Sequence, residues 1–275
     1  MHKLVFYLSY PIIWLFSKLP FRILYIISDG IYFLFFYVIG YRKKVVLDNL
    51  KLVYPQKTNK ELKEIQKKFF GHFVDTLIEA IKAITISETS IKKRYRYKNV
   101  ALIDKLYNEG KSIILTGAHY GNWELGGTSL SALVSPTTTI HKKMNDNYFD
   151  EYLMKSRTKF KMNMVEKRGA IKHLIKALKK GEAISMLIDQ SVKESDGIFI
   201  NFLGQKATQT AAPAFLARKF DALIIPLLIN TAPGKENVIT FFEPIITAKT
   251  DNEEKDILDS SQAQADFLSK AILQY

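Results

Sequence analysis

Residues 112–127 read SIILTGAHYGNWELGG, and their order sets the fold. Ser112–Thr116 is an apolar run short enough for a buried strand, and Gly117 ends it. A glycine-flanked turn then leads to Asn122, a good N-cap for the helix that follows. The same alternation continues outward. Ala183–Ile188, Leu223–Ile229 and Val238–Phe242 are further apolar runs of strand length, and Thr137–His141 is strand-like. Between and after them, Asn145–Phe160, Ala170–Lys180, Thr210–Phe220 and Glu253–Leu273 carry helical patterns, the second closed by Gly181 in the C′ position. Strands alternating with helices predict an α/β fold, a mostly parallel central sheet flanked by helices.

The 275 residues suffice for one large domain or two small ones, and 47% hydrophobic with 24% charged residues is too apolar for a disordered chain. There is no cysteine, which excludes a disulfide scaffold, a thiolate zinc site and a Cys nucleophile. Forty Lys and Arg against 27 Asp and Glu leave a formal charge of +13. Such a charge points to a polyanion: nucleic acid, an acidic protein or an anionic membrane face. Lys92, Lys93, Arg94, Arg96 and Lys98, interleaved with Tyr95 and Tyr97, fit either a stacking nucleic-acid surface or a half-exposed edge strand. The strand has the better claim, and with no RRM, KH or helix-turn-helix signature no nucleic-acid partner is expected.

Of 34 aromatic residues, 13 fall within the first 41 positions, among few charges. Pro11, Lys18, Pro20 and Arg22 divide this segment into Leu4–Phe16 and Ile23–Ile39. The first is short for a bilayer span of about 20 residues, and the second carries Asp29 and Gly30 at its centre. Arg42, Lys43 and Lys44 follow, as at the flank of a span or the polar side of an interfacial helix. Residues 1–45 are therefore expected to be hydrophobic membrane-anchoring helices; a single span and a buried helix pair are the alternatives. Residues 46–275 are expected to form the α/β domain. Its first long helix starts at a capping box, Thr58 with Glu61, and its apolar stripe reads Leu62, Ile65, Phe69, Phe73, Leu77 and Ile81.

Open α/β sheets place ligands outside the carboxyl ends of their strands. Two such ends are polar here: the turn holding His119, and Asp189-Gln190 after the strand at 183–188. On one continuous helix His119 and Glu124 would lie about 140° apart and could not meet. With His119 in the turn and a helix starting near Asn122, Glu124 falls in the first helical turn and can fold back to the imidazole. A carboxylate on one ring nitrogen fixes the tautomer and leaves the other nitrogen as the proton acceptor, which a general base needs. A structural histidine beside a helix-capping glutamate is the competing reading.

The block GAHYGNWELGG resembles the signature of the bacterial lipid A late acyltransferases, within the lysophospholipid and glycerolipid acyltransferase superfamily defined by His-x-x-x-x-Asp/Glu. RKKVVLDNLKLVYP, KRGAIKHLIKALKKGEAISMLIDQ and GQKATQTAAPAFLARKFDALIIPLLI resemble the same family, so the likeness covers most of the chain. It implies a membrane-associated enzyme at the cytoplasmic face of the inner membrane. That enzyme moves a fatty acyl chain from an acyl carrier protein (or coenzyme A) thioester to a hydroxyl of a lipid A precursor. The resemblance makes His119 the general base and Glu124 its orienting carboxylate, with no covalent intermediate, no cofactor and no metal. Arg157, Arg168 and, more weakly, Lys142 and Lys143 match anion-contacting positions; Asn122 belongs to the site turn, and Asp189 to a supporting strand end. Thr208 and Thr210 lie in the family's Thr-rich loop, to cap a helix or line an acyl channel. Ala118 stands where these enzymes often have Asn, and the family usually continues past Tyr275, so the expectation is either a truncated chain or a protein without that C-terminal element. An acyltransferase for another membrane lipid, amino-acid-based or of phosphatidylinositol type, is the nearest alternative. A non-catalytic protein binding anionic lipid is the alternative outside the class.

Overall fold

The computed structural model describes residues 2–133, 136–232 and 236–274. The chain divides into two compact units, residues 1–86 and 87–275.

The first unit is helical: α1 (His2–Lys18), α2 (Phe21–Phe33), α3 (Lys43–Val53) and α4 (Asn59–Ala83), with α2 running on through a wider π-helical turn to Ile39. The Pro20 break falls between α1 and α2, as the missing N–H of proline requires. The capping box forms as expected: the Glu61 amide donates to the Thr58 hydroxyl, and the Glu61 carboxylate accepts from the Thr58 amide. The buried stripe of α4 differs from the sequence reading. It follows Leu62, Gln66, Phe70, Val74 and Ile78, whereas Phe69 and Leu77 are exposed. Both rows have helical spacing. Polar partners within the unit decide between them: Gln66 donates to the Lys43 carbonyl, Glu79 accepts from the Tyr25 hydroxyl, and Asp75 accepts from Ser28. Leu24 of α2, with Val74 and Ile78, forms this unit's apolar centre.

Phe21–Ile39 is a helix long and apolar enough to cross a membrane; Leu4–Lys18 is apolar but shorter. Both expose large apolar side chains, among them Leu4, Leu8, Ile12, Ile26, Phe33 and Val38.

The second unit opens with α5 (Glu88–Arg94) and β1 (Tyr95–Lys98). Thus the basic-aromatic stretch is an edge strand only from Tyr95 onward. Upstream, the Ser87 hydroxyl accepts from the Ser90 amide and starts a helix instead. The order continues α6 (Val100–Asn108), β2 (Ile113–Gly117), α7 (Trp123–Leu133), β3 (Thr137–His141), α8 (Asn147–Arg157), β4 (Met162–Glu166), α9 (Ala170–Lys179) and β5 (Ala183–Leu187). A hairpin of β6 (Ile198–Phe202) and β7 (Gln205–Gln209) precedes α10 (Ala212–Phe220), β8 (Leu223–Ala232), β9 (Glu236–Phe241) and α11 (Glu253–Gln274).

Seven strands form one sheet in the order β1-β9-β8-β2-β5-β3-β4. Strands β8, β2, β5, β3 and β4 run parallel; β9 joins β8 antiparallel, and β1 lies parallel to β9. The mostly parallel sheet expected from the sequence is thus present. Central strands buried on both faces need continuous apolar runs, and β2 supplies one: Ile113, Ile114 and Leu115 have essentially no exposure. One core joins Ile114, Ile184, Ile224 and Leu228 of the sheet to Leu174 and Leu178 of α9, Leu216 of α10 and Leu268 of α11. The small antiparallel hairpin attaches to α11 through Gln262, whose amide both donates to and accepts from the Asn201 backbone. Strand β4 and the hairpin lack long apolar runs, which is why their sequences did not announce them.

Candidate active site

The site grows from the register of β2 on β5. Gly117 lies opposite Leu187, and the Ile188 amide donates to the Gly117 carbonyl at 3.0 Å. His119 and Asp189 are each two residues beyond that pair, so parallel pairing carries them to the carboxyl edge side by side. Their contact is direct: His119 Nδ1 lies 2.8 Å from Asp189 Oδ1. On the other side of the ring, the Gln190 amide nitrogen is 3.4 Å from His119 Nε2. These two neighbours agree on one tautomer, with the proton on Nδ1 donated to the carboxylate and Nε2 left as acceptor. The Trp123 ring meets the imidazole edge-on, centroids 5.4 Å apart.

The turn that presents His119 depends on one glycine. Gly121 has φ +62°, and a Cβ there would sit 1.8 Å from the Ile229 carbonyl oxygen. Gly117, the other glycine expected to permit the turn, has ordinary backbone; it is the last residue of β2. Asn122, fully buried, caps α7 through its side-chain oxygen, which accepts from the Leu125 amide at 3.1 Å. Its role in the structure is to start that helix.

Glu124 does not reach the histidine. Trp123 opens α7 on the imidazole side, and Glu124, one position further round the helix, turns to the end of α8. There Arg157 donates to both of its oxygens, Nε to Oε1 at 2.5 Å and Nη2 to Oε2 at 2.6 Å. This is a bidentate pair of mostly buried groups, and it leaves Arg157 Nη1 without a partner among the described residues. The expected His119–Glu124 contact is therefore replaced by two separate pairs, His119–Asp189 and Glu124–Arg157. Asp189, expected as a supporting residue, is the one on the imidazole.

Arg168 and Lys143 occupy the same sheet edge but farther out, in the turns after β4 and β3. Both are exposed, with no partner among the described residues. Thr210 lies one residue before Ala211, the N-cap of α10, and its hydroxyl accepts from the Ala212 amide in a local turn. Thr208 instead donates to the Val192 carbonyl in the segment between Asp189 and the hairpin. The sequence reading missed Gln190 and Trp123 as neighbours of the imidazole. Gln190 follows Asp189 at a polar strand end, and that was the available signal.

An imidazole at the carboxyl edge of an α/β sheet, with one nitrogen held by a carboxylate and the other met only by a long 3.4 Å amide contact, is the arrangement of a proton-transfer site. Comparison with known proteins gives the class: the chain is an acyltransferase. It belongs to the bacterial lipid A biosynthesis acyltransferase family, whose model matches residues 1–275. It is 25% identical over 251 residues to the lipid A biosynthesis lauroyltransferase of Escherichia coli K12, covering 90% of this chain and 81% of that protein. It is 21% identical over 199 residues to the palmitoleoyltransferase of the same organism, covering 72% of this chain and 64% of that protein. A lipid A biosynthesis acyltransferase of Haemophilus influenzae is 22% identical over 189 residues, covering 68% and 59%.

Proposed function

We propose that this acyltransferase moves a fatty acyl chain from the thioester of an acyl carrier protein to a hydroxyl of a lipid A precursor, with His119 as general base. The observation that carries the reading is the imidazole between Asp189 and Gln190, with Nδ1 on the carboxylate and only the long 3.4 Å Gln190 contact on Nε2, which an acceptor hydroxyl would displace. In the reaction Nε2 takes the acceptor hydroxyl proton as that oxygen attacks the thioester carbon. The tetrahedral intermediate collapses by breaking the carbon–sulfur bond, and the imidazolium returns its proton to the leaving sulfur. The products are an ester and a free thiol, with no enzyme-bound acyl group, in keeping with a chain that has no cysteine. Asp189 holds the ring and stands 2.8 Å from the positive charge that develops on it. Glu124 locks Arg157 into one rotamer, so that the free Nη1 offers a fixed donor to an anionic group of donor or acceptor.

The exposed apolar helices of residues 2–39 support a membrane-bound enzyme that meets its lipid at the cytoplasmic face of the inner membrane. The test is in vitro acyl transfer by the full chain in detergent micelles or vesicles, with an acyl-carrier-protein thioester and a lipid A precursor, read by mass spectrometry. A gain in acceptor mass equal to one acyl chain, with release of the free thiol, is expected. An acceptor of unchanged mass, beside acylation of a different lipid, would overturn the acceptor assignment.

A further inference from the structure

Four cations stand together at the carboxyl edge without any acidic partner. The register of β3 on β4 pairs His141 with Glu166, and the Lys167 amide extends the ladder by donating to the His141 carbonyl at 2.8 Å. Lys142 and Lys143 therefore emerge beside Lys167 and Arg168, in the turns that leave two adjacent parallel strands. All four are exposed, and none has an ion pair or hydrogen-bond partner for its side chain among the described residues. Asp150 accepts from the Met144 amide at 2.8 Å, and Asp146 caps α8 by accepting from the Tyr148 and Phe149 amides. Glu166, exposed at the end of β4, and Asp146 at the start of α8 are the negative charges beside these cations among the described residues. Two exposed apolar side chains, Met144 and Ile171, flank the cations. Strands lie about 4.8 Å apart, so β3 and β4 are about 10 and 14 Å from β2, whose following turn carries His119.

We infer that Lys142, Lys143, Lys167 and Arg168, with Met144 and Ile171, form the docking surface for the acidic protein that carries the acyl thioester. The inference rests on the donor reading above. Cations with no partner of their own lose hydration on docking, a cost that a complementary acidic surface offsets, and they speed and orient encounter. Exposed Met and Ile supply the apolar contact that such a patch needs at its centre. The location suits delivery: a partner seated over β3 and β4 lies beside the base, leaving the edge above β2 and β5 for the thioester and the hydroxyl.

The experiment compares the full-length protein with the variant Lys167→Glu, using two donors: an acyl-carrier-protein thioester and the same acyl group on pantetheine alone. The variant is expected to raise KM for the carrier-borne donor about tenfold or more with kcat nearly unchanged, and to leave KM for the small thioester as it was. Turnover of the small thioester also reports that the variant is folded. Lys167→Gln should give a smaller shift of the same sign, and rising salt should weaken the wild type towards the variant. Equal KM values for the carrier-borne donor in both proteins overturn the docking surface. So does a parallel loss with both donors, or reduced binding to anionic vesicles at unchanged KM, which would assign the patch to thioester or membrane. A wild type that turns over the pantetheine thioester but not the carrier-borne one would instead show that the donor reading itself is at fault.

Discussion

Asp189→Asn removes the charge beside His119 while keeping the side chain's size and its capacity to accept from Nδ1. Two unit charges about 4 Å apart in a medium of effective dielectric about 20 interact by about 4 kcal/mol. At 1.36 kcal/mol per decade that sets a ceiling of about a thousandfold on the rate. The imidazole is 30% exposed and the carboxylate 18%, so solvent screens part of the interaction. A fall in kcat of about 10- to 100-fold is therefore expected. KM for the lipid acceptor should hold, because the carboxylate is spent on the ring. The assay is single-turnover acyl transfer by the purified protein in vesicles, beside a thermal melt. Asp189→Asn should melt close to wild type, since no buried charge is left unpaired. Full activity in a folded variant would refute the claim that Asp189, seventy residues away in sequence, serves the base.

Three further outcomes follow from the same contacts. Glu124→Gln breaks a mostly buried bidentate pair and leaves Arg157 half-satisfied, so it should cost about 2–3 kcal/mol, below the usual figure for fully buried pairs. For a unit of this size that is a drop in Tm of about 5–10 °C, together with weaker turnover; an unchanged Tm would contradict the pairing. Gly121→Ala places a Cβ 1.8 Å from the Ile229 carbonyl at a left-handed φ, and should cost several kcal/mol or abolish soluble protein, as a melt or expression trial would show. Burial alone would push the Asp256 carboxyl up, but hydrogen bonds from Arg218 and from the Thr250 hydroxyl and amide outweigh it and hold it below its usual value. A carboxyl lowered in the folded state adds stability that is present above its unfolded pKa, near 3.8, and is lost as pH falls through the folded value. Asp256→Asn should thus flatten the acid end of the stability–pH curve, measured by denaturant melts between about pH 5 and 2.

The strand, turn and helix around His119 were legible because each left a local signal: an apolar run, a glycine and an N-cap. Helices α4, α8, α9 and α11 were legible from periodicity and caps for the same reason. The partner of His119 was not, since sequence spacing favoured Glu124 and only the β2–β5 register, a long-range property, brings Asp189 to the ring. The buried face of α4 was misread because Phe69 and Phe70 offer two adjacent apolar rows; Gln66 and Glu79, polar and hence read as outward, find buried partners. Arg168 and the weaker candidates Lys142 and Lys143 are separate in sequence, and it is the β3–β4 pairing that gathers them.

The central claim, that His119 Nε2 takes the acceptor proton, is tested most directly by single-turnover acyl transfer with His119→Ala. A positioned general base contributes about 10²–10⁴-fold, so kcat should fall within or beyond that range while the variant melts like wild type and still binds lipid acceptor. A folded His119→Ala protein that transfers the acyl chain at the wild-type rate would contradict the account.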